Sequence, residues 1–311
     1  MEYVHYSVLQ KPVLELLTVN PEKETKMVDC TLGEGGHSLL FLKKYPKLHI
    51  TGLDRDSQII KKAEERLSEF GNRFEVKNIW FNDFFKEQEE NSLDLILFDL
   101  GISIFHYVEA NRGFSFQVDE KLDMRLNKDS DLTAATIVNN YQEKELADLI
   151  YKYGEERYSR QIASAIVQSR SLKPIETTKE LENIIFHAVP YRYKHGHIHP
   201  ATRTFQAIRI EVNHELDRIE PALEGAIKAL KVGGKLGVIT FHSLEDRQVK
   251  WLFKGHKEGE ESDLIWLNKK PITADEEECK INPPSRSAKL RVVEKVEKGN
   301  HNGKKSYKKD F

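Results

Sequence analysis

The sequence predicts an α/β protein, an open, doubly wound sheet of mostly parallel strands interrupted by a helical insert. Three observations predict it. Short apolar runs alternate with helical periods over the first hundred residues, a glycine-rich turn joins the first run to the first helix, and apolar strand patterning returns only after a long helical stretch.

Met27-Val28 begins the first strand and residues 39–44 read as the helix after it, with Asp29 to Ser38, DCTLGEGGHS, between them. A strand that runs into glycines and then a helix aims backbone N–H groups and a positive helix end at whatever binds there. Residues 49–53, HITGL, form a second short strand ending at Asp54. A helix over 58–70, a strand near 74–77 and the strongly apolar LDLILF at 93–98 complete the first half of the sheet. From about Phe105 to Thr204 the period is helical, at 134–138, 145–153 and 162–167, with no strand signal of comparable strength. A helix is expected from Glu211 to Leu230. Gly233-Gly234 then turns the chain into a strand at 235–241, and 288–294 supplies a late antiparallel strand. The sheet domain thus spans 1–104 and 205–311, and the insert spans 105–204. The lysines at 304, 305, 308 and 309 read as a solvated tail with weak attraction for phosphate.

With 311 residues, 39% of them hydrophobic, the chain can bury a sizeable core. A formal net charge of -2 gives no global attraction to nucleic acid, so any such affinity is local. The opening MEYVHYSVLQK lacks a basic region followed by an apolar run, and no stretch approaches the roughly 18 apolar residues of a membrane span, so a cytoplasmic protein without membrane contact is expected. Cys30 and Cys279 make neither a disulfide framework nor a zinc pattern and read as structural.

In the glycine turn, Gly33 and Gly35 fill the first two positions of Gly-x-Gly-x-x-Gly, but Ser38 stands at the third. The spacing of Asp29, Thr31, Gly33 and Gly35 instead resembles the acidic-x-small-x-Gly-x-Gly motif of S-adenosylmethionine (SAM) methyltransferases. Asp54, about twenty residues on, suits the two hydroxyls of a ribose. SAM and NAD share that ribose, and the alternative role of capping the next helix can fall to Asp56 or Ser57. Asp99 ends the fourth strand, so it belongs in the same crevice. An exocyclic amine conjugated with its ring is a weak nucleophile, and acceptors on its N–H bonds localise the lone pair; Asp99 and nearby carbonyls suit that task as well as they suit touching a cofactor. His242, in FHSLEDR, is placed to relay a proton, with Ser243 as helix cap. Asp99, Ser103 and His242 are the catalytic candidates.

Two motifs carry groups that suit RNA as well as they suit internal packing or ion pairs. Arg112 and Phe114, in RGFSF, offer a guanidinium beside aromatics for phosphate and a splayed base, unless the rings simply pack under a loop. Arg203 and Arg209, in HPATRTFQAIR, are suited to phosphates or to Glu155 and Glu156. The alternation His195, His197, His199 lacks cysteine or carboxylate partners in its loop, so no metal is expected.

GEGGHS (33–38), LDRD (53–56), DLGIS (99–103), RGFSF (112–116), LDMR (122–125), YGEER (153–157), HPATRTFQAIRI (199–210), FHSLEDR (241–247) and NPPSRSAKLR (282–291) occur in order, and on these the chain resembles the bacterial RsmH (MraW) family over its whole length. The resemblance implies a Rossmann-like class I SAM methyltransferase sheet with an inserted helical domain for RNA recognition. It also implies methylation of N4 of a cytidine in the decoding centre (P site) of 16S rRNA in the small ribosomal subunit. Gly33, Gly35, Gly36 and His37 would contact SAM, Asp54 its ribose, Phe81 its adenine region and Asp99 its methionine side or adenine edge. DLGIS lacks the two prolines and aromatic of other amino methyltransferases. His106 stands where the family has a cofactor-contacting glutamine and offers a hydrogen bond each way. Transfer would be direct, without a covalent base adduct, on a nucleotide splayed from its neighbours. The alternatives are a SAM enzyme for protein or small molecules, a non-catalytic SAM-binding assembly factor, and more distantly an NAD dehydrogenase. A homodimer is left open.

Overall fold

Leu95, Ile96, Leu97 and Phe98 are consecutive and all buried, which marks the strand that holds them as one covered on both faces. In the computed structural model, which describes residues 6–108, 111–257 and 262–298, that strand is β4 (Leu93–Asp99) at the centre of an eight-stranded sheet. The others are β1 (Thr25–Asp29), β2 (Leu48–Asp54), β3 (Phe74–Asn78), β5 (Leu230–Thr240), β6 (Leu264–Trp266), β7 (Ile272–Thr273) and β8 (Lys289–Lys295). Their order is β3-β2-β1-β4-β5-β8-β6, with β7 also paired to β8. Strands β1 to β5 run parallel, whereas β8 is antiparallel to β5, β6 and β7. Chain order runs outward in one direction from β1 and in the other from β4, and the crevice beyond the carboxyl ends at such a switch point is where open α/β sheets bind ligands.

The chain divides into two compact units, one from the described parts of Met1–Gly101 and Asp217–Phe311, the other from those of Ile102–Leu216. The sheet belongs to the first. In the second, helices Ala134–Asn140, Glu143–Gly154, Ser159–Arg170, Thr178–Ala188 and Ala201–Asn213 bury one apolar stripe each around Ile137, Leu146, Ile150, Ile162, Leu181 and Ile208. Two capping boxes fix helix starts here, Gln142 with Glu145 and Thr177 with Glu180. Among the described residues of this unit the sole strand-like pairing is an isolated bridge, Lys121 to Thr177.

Three boundaries differ from expectation. A division at 204/205 would cut helix Ala201–Asn213, whose apolar residues Phe205, Ala207 and Ile208 all serve the helical core. The helix expected from Glu211 to Leu230 is two, because His214 takes the left-handed conformation (φ 49°) between Ala201–Asn213 and Glu215–Ala229. Gly233-Gly234 does not precede β5 but lies inside it: β4 residues Leu93 and Leu95 pair with Leu230 and Lys235, so the extra residues form an irregularity that Gly233 (φ 81°) makes sterically free. The lysines at 304, 305, 308 and 309 lie outside the described residues.

Candidate functional site

The turn after β1 is tied to both neighbouring strands: the N–H of Cys30 donates to Leu97 O at 2.8 Å and that of Leu32 to Leu53 O at 2.8 Å. Gly33 (φ 53°) and Gly35 (φ 75°) occupy conformations that a Cβ disfavours, and Gly35 opens helix Gly36–Lys44. At Gly36 a Cβ would stand 2.0 Å from Ser7 Oγ. Ser38, at the third glycine position of the dinucleotide pattern, is buried and donates to Asp29 Oδ2 at 2.7 Å. Burial pushes the Asp29 carboxyl above the usual carboxylate range, against the pull of Ser38 and His37. At the end of β2, Asp54 Oδ2 accepts from the N–H of Gly33 and Oδ1 from that of Asp56, both at 2.9 Å. Helix capping falls to Asp56, which accepts from Gln58 N–H at 2.9 Å.

At the end of β4 the N–H of Asp99 donates to Thr31 Oγ1 at 2.7 Å, and Asp99 Oδ1 accepts from Gly101 N–H at 3.2 Å. Its Oδ2 lies 3.6 Å from Nε2 of His37. Both ring nitrogens of His37 are buried and find no hydrogen-bond partner among the described residues. Gly101 lets the segment after β4 meet the one after β5, since a Cβ there would stand 2.4 Å from Phe241 Cε2. His242, rather than Ser243, precedes helix Ser243–Lys257 as its cap: buried Glu245 accepts from the N–H groups of Phe241 (2.8 Å) and His242 (3.3 Å), while its own N–H approaches His242 Nδ1 at 3.4 Å. His242 Nε2 lies 3.0 Å from Glu245 Oε1. Phe81 starts the short helix Phe81–Phe84 after β3 and packs edge-on against Phe98, 5.5 Å between centroids. The sheet unit therefore holds Gly33, Gly35, Gly36, His37, Asp54, Phe81, Asp99 and His242.

The remaining candidates belong to the helical unit. Ser103 accepts from Phe105 N–H through its Oγ (3.2 Å) and from His106 N–H through its carbonyl (2.9 Å). His106 packs between the rings of Phe105 and Phe114, 5.4 Å from each. Arg112 departs from the expected phosphate contact: it is 4% exposed, and its guanidinium donates to the carbonyls of Arg125 (2.7 Å) and Leu126 (3.3 Å). Phe114 is 5% exposed and sits in the helical core, the packing alternative. Arg209 makes a bidentate pair with Glu215 at 2.9 Å and donates to Tyr107 Oη at 3.0 Å, which is not the expected pairing with Glu155 or Glu156. Arg203 reaches the backbone carbonyl of Glu155 at 3.0 Å rather than a carboxylate. The three alternating histidines part company: His195 packs on Tyr191, His199 stacks on Phe116 and meets Glu182 at 3.2 Å, and exposed His197 does neither.

The family model described as the MraW methylase family matches residues 2–296. The chain belongs to the MraW methylase family. Among similar proteins, Ribosomal RNA small subunit methyltransferase H of Treponema denticola is 51% identical over 312 residues, covering 96% of this chain and 99% of the relative. The protein of that name from Sulfurihydrogenibium azorense is 49% identical over 295 residues, covering 94% and 99%. A solved rRNA methylase from Streptococcus thermophilus aligns over 88% of each chain with 11% identity and a TM-score of 0.36.

This MraW methylase is an enzyme whose methyl donor is SAM. The residues present fit that cofactor. Gly33, Gly35 and the start of helix Gly36–Lys44 form a turn in which a side chain is disfavoured, the Asp54 carboxylate is held at the end of β2 by the N–H groups of Gly33 and Asp56 in the place that suits ribose hydroxyls, and both ring nitrogens of His37 are buried with no hydrogen-bond partner among the described residues. Two elements of the site are not among the candidates that the sequence offers. Glu245 was detectable as the acidic residue three positions after a cap, but the contact of Gly101 with Phe241 joins positions far apart in the chain and leaves no local signal.

Proposed function

We propose that this methyltransferase acts on small-subunit ribosomal RNA, at N4 of a cytidine in the decoding centre, and that it works in the cytoplasm. The observation that carries the reading is Asp99. It ends β4 at the switch point of the sheet, one carboxylate oxygen engaged by its own turn and the other directed toward His37. Relatives matched end to end carry the name of a small-subunit rRNA methyltransferase, and no helix among the described residues is long and apolar enough to cross a membrane.

Bound SAM supplies an electrophilic methyl group on a sulfonium. The work left to the chain is to make the cytosine amine nucleophilic. Asp99 accepts an N–H bond of that amine, localising its lone pair and fixing its direction. His242, oriented by Glu245, takes up the proton released from nitrogen. Burial of Asp29 and Ser38 beneath the glycine turn keeps the loop in one conformation. The helical unit, residues 102–216, is assigned the recognition of RNA, because a paired or stacked cytosine cannot present its amine for in-line attack.

The decisive experiment incubates the purified protein with labelled SAM and small ribosomal subunits from a strain lacking the activity, followed by nucleoside analysis. N4-methylated cytidine is the expected product. Label found only in protein or in small molecules overturns the reading.

A further inference from the structure

Most guanidiniums of the helical unit are consumed within it. Arg125 pairs with Asp123, Arg160 with Asp148 and Arg209 with Glu215, while Arg112 and Arg170 cap carbonyls. Arg157 and Arg192 are exceptions: both are exposed, and among the described residues neither has a carboxylate within ion-pair reach. They line one cleft of about 630 Å3, together with Tyr158, Tyr193, His197 and Arg203.

The cleft is built around aromatic faces. The Arg157 guanidinium lies 4.8 Å from the centroid of Tyr158 and 5.1 Å from that of Tyr193, and the two rings meet edge to face at 4.8 Å. Tyr193 is pinned, because its hydroxyl donates to the carboxylate of fully buried Glu156, which also accepts from Tyr158 N–H at 2.8 Å. A pinned stack of arginine on tyrosine gives up little conformational freedom when another flat group joins it. Unpaired cations beside such a stack match a polyanion whose repeating units carry planar rings. An acidic peptide answers the charge but leaves the aromatic faces unused.

We propose that this cleft binds single-stranded RNA, with a base against the Arg157–Tyr193 stack and neighbouring phosphates on Arg192 and Arg203. The proposal rests on the ribosomal RNA reading above and adds to it a second RNA subsite, remote in sequence from the Asp99 and His242 segments.

The test uses the full-length protein and a 4-thiouridine-containing hexaribonucleotide, with binding followed by fluorescence anisotropy and contacts by photo-crosslinking. Arg157→Glu and Arg192→Glu alter exposed side chains, and calorimetric SAM titration checks that each variant remains folded. The double variant is expected to bind the hexamer about 10-fold or more weakly, with a shallower salt dependence by about 0.7 per arginine removed, and to show a raised KM for small subunits with SAM affinity unchanged. Cross-links should fall within residues 157–203. Wild-type affinity and salt slope in the double variant, cross-links confined elsewhere, failure of the wild type to bind the hexamer, or displacement by polyglutamate but not by RNA would each overturn the inference. Failure of the parent reading has a different signature: the wild type then forms no N4-methylcytidine in subunits.

Discussion

Gly33 and Asp54 are joined by a hydrogen bond of 2.9 Å, from the backbone N–H of the first glycine of the turn to Oδ2 of the carboxylate that ends β2. With Asp56 N–H on the other oxygen, the carboxylate is oriented by the backbone. The Gly33 bond also ties down the glycine turn, so the loop and the acidic residue form one preorganised surface.

Asp54→Asn should therefore weaken SAM binding while leaving the chain folded. The amide retains one acceptor but turns an N–H₂ toward a backbone donor, and hydrogen bonds to a charged group are worth about 1.5–3 kcal/mol. The dissociation constant measured by calorimetry is expected to rise about 10- to 100-fold. An unchanged constant would remove Asp54 from the cofactor site.

Asp99→Asn separates binding from chemistry. The substituted side chain keeps the shape that accepts Gly101 N–H, but offers a weaker acceptor toward the amine and loses its charge near His37. A fall in kcat of about 100-fold or more is expected in single-turnover assays with subunits, against a change in SAM affinity of at most about fivefold. Equal losses in both would make Asp99 a cofactor ligand only.

Arg209 gives a contrasting case. Its fork spans both oxygens of Glu215, and both side chains are about one-seventh exposed, 14% and 13%. Arg209→Leu strands a largely buried carboxylate, which costs about 2–4 kcal/mol, whereas Arg209→Leu with Glu215→Leu should recover much of that loss. Urea unfolding measures both. If Arg209 instead contacted phosphate, the single variant would keep its stability and lose RNA affinity.

That contrast shows what a linear reading captures. The sheet strands, the glycine turn, Asp54 and Asp99 are legible because each is encoded locally, by an apolar run, a pair of glycines or an acidic residue at a strand end. Arginine and phenylalanine in RGFSF carry no such local instruction. Arg112 is claimed by carbonyls 13 and 14 positions away, Arg209 by Tyr107 from 102 positions away, and Phe114 by a core assembled from five helices. Conversely, Arg157 and Arg192 stand out only by lacking a carboxylate partner among the described residues, a property that exists once the other arginines have been placed. The irregularity at Gly233 escaped for a similar reason, since a glycine pair reads equally as a turn before a strand or a break within one.

His256 sets a pH dependence of stability in the sheet unit. Its Nδ1 lies 2.9 Å from Asp263 Oδ1 and its Nε2 3.1 Å from Glu224 Oε2. Burial opposes the charged ring, but the hydrogen bonds and charges of the two carboxylates outweigh it and hold the pKa above the ordinary value of 6.5. A raised folded-state pKa means that the folded chain binds more protons than the unfolded one between the two values. The contribution is therefore complete below about pH 6.5 and disappears as pH rises through the folded value. Because the ring is 24% exposed and the pair is screened, the effect should not exceed about 1 kcal/mol. Urea unfolding of the wild type and His256→Gln at pH 6 and pH 9 should show the larger difference at pH 6. An equal difference at both would mean that the ring is held neutral and that its worth lies in hydrogen bonds alone.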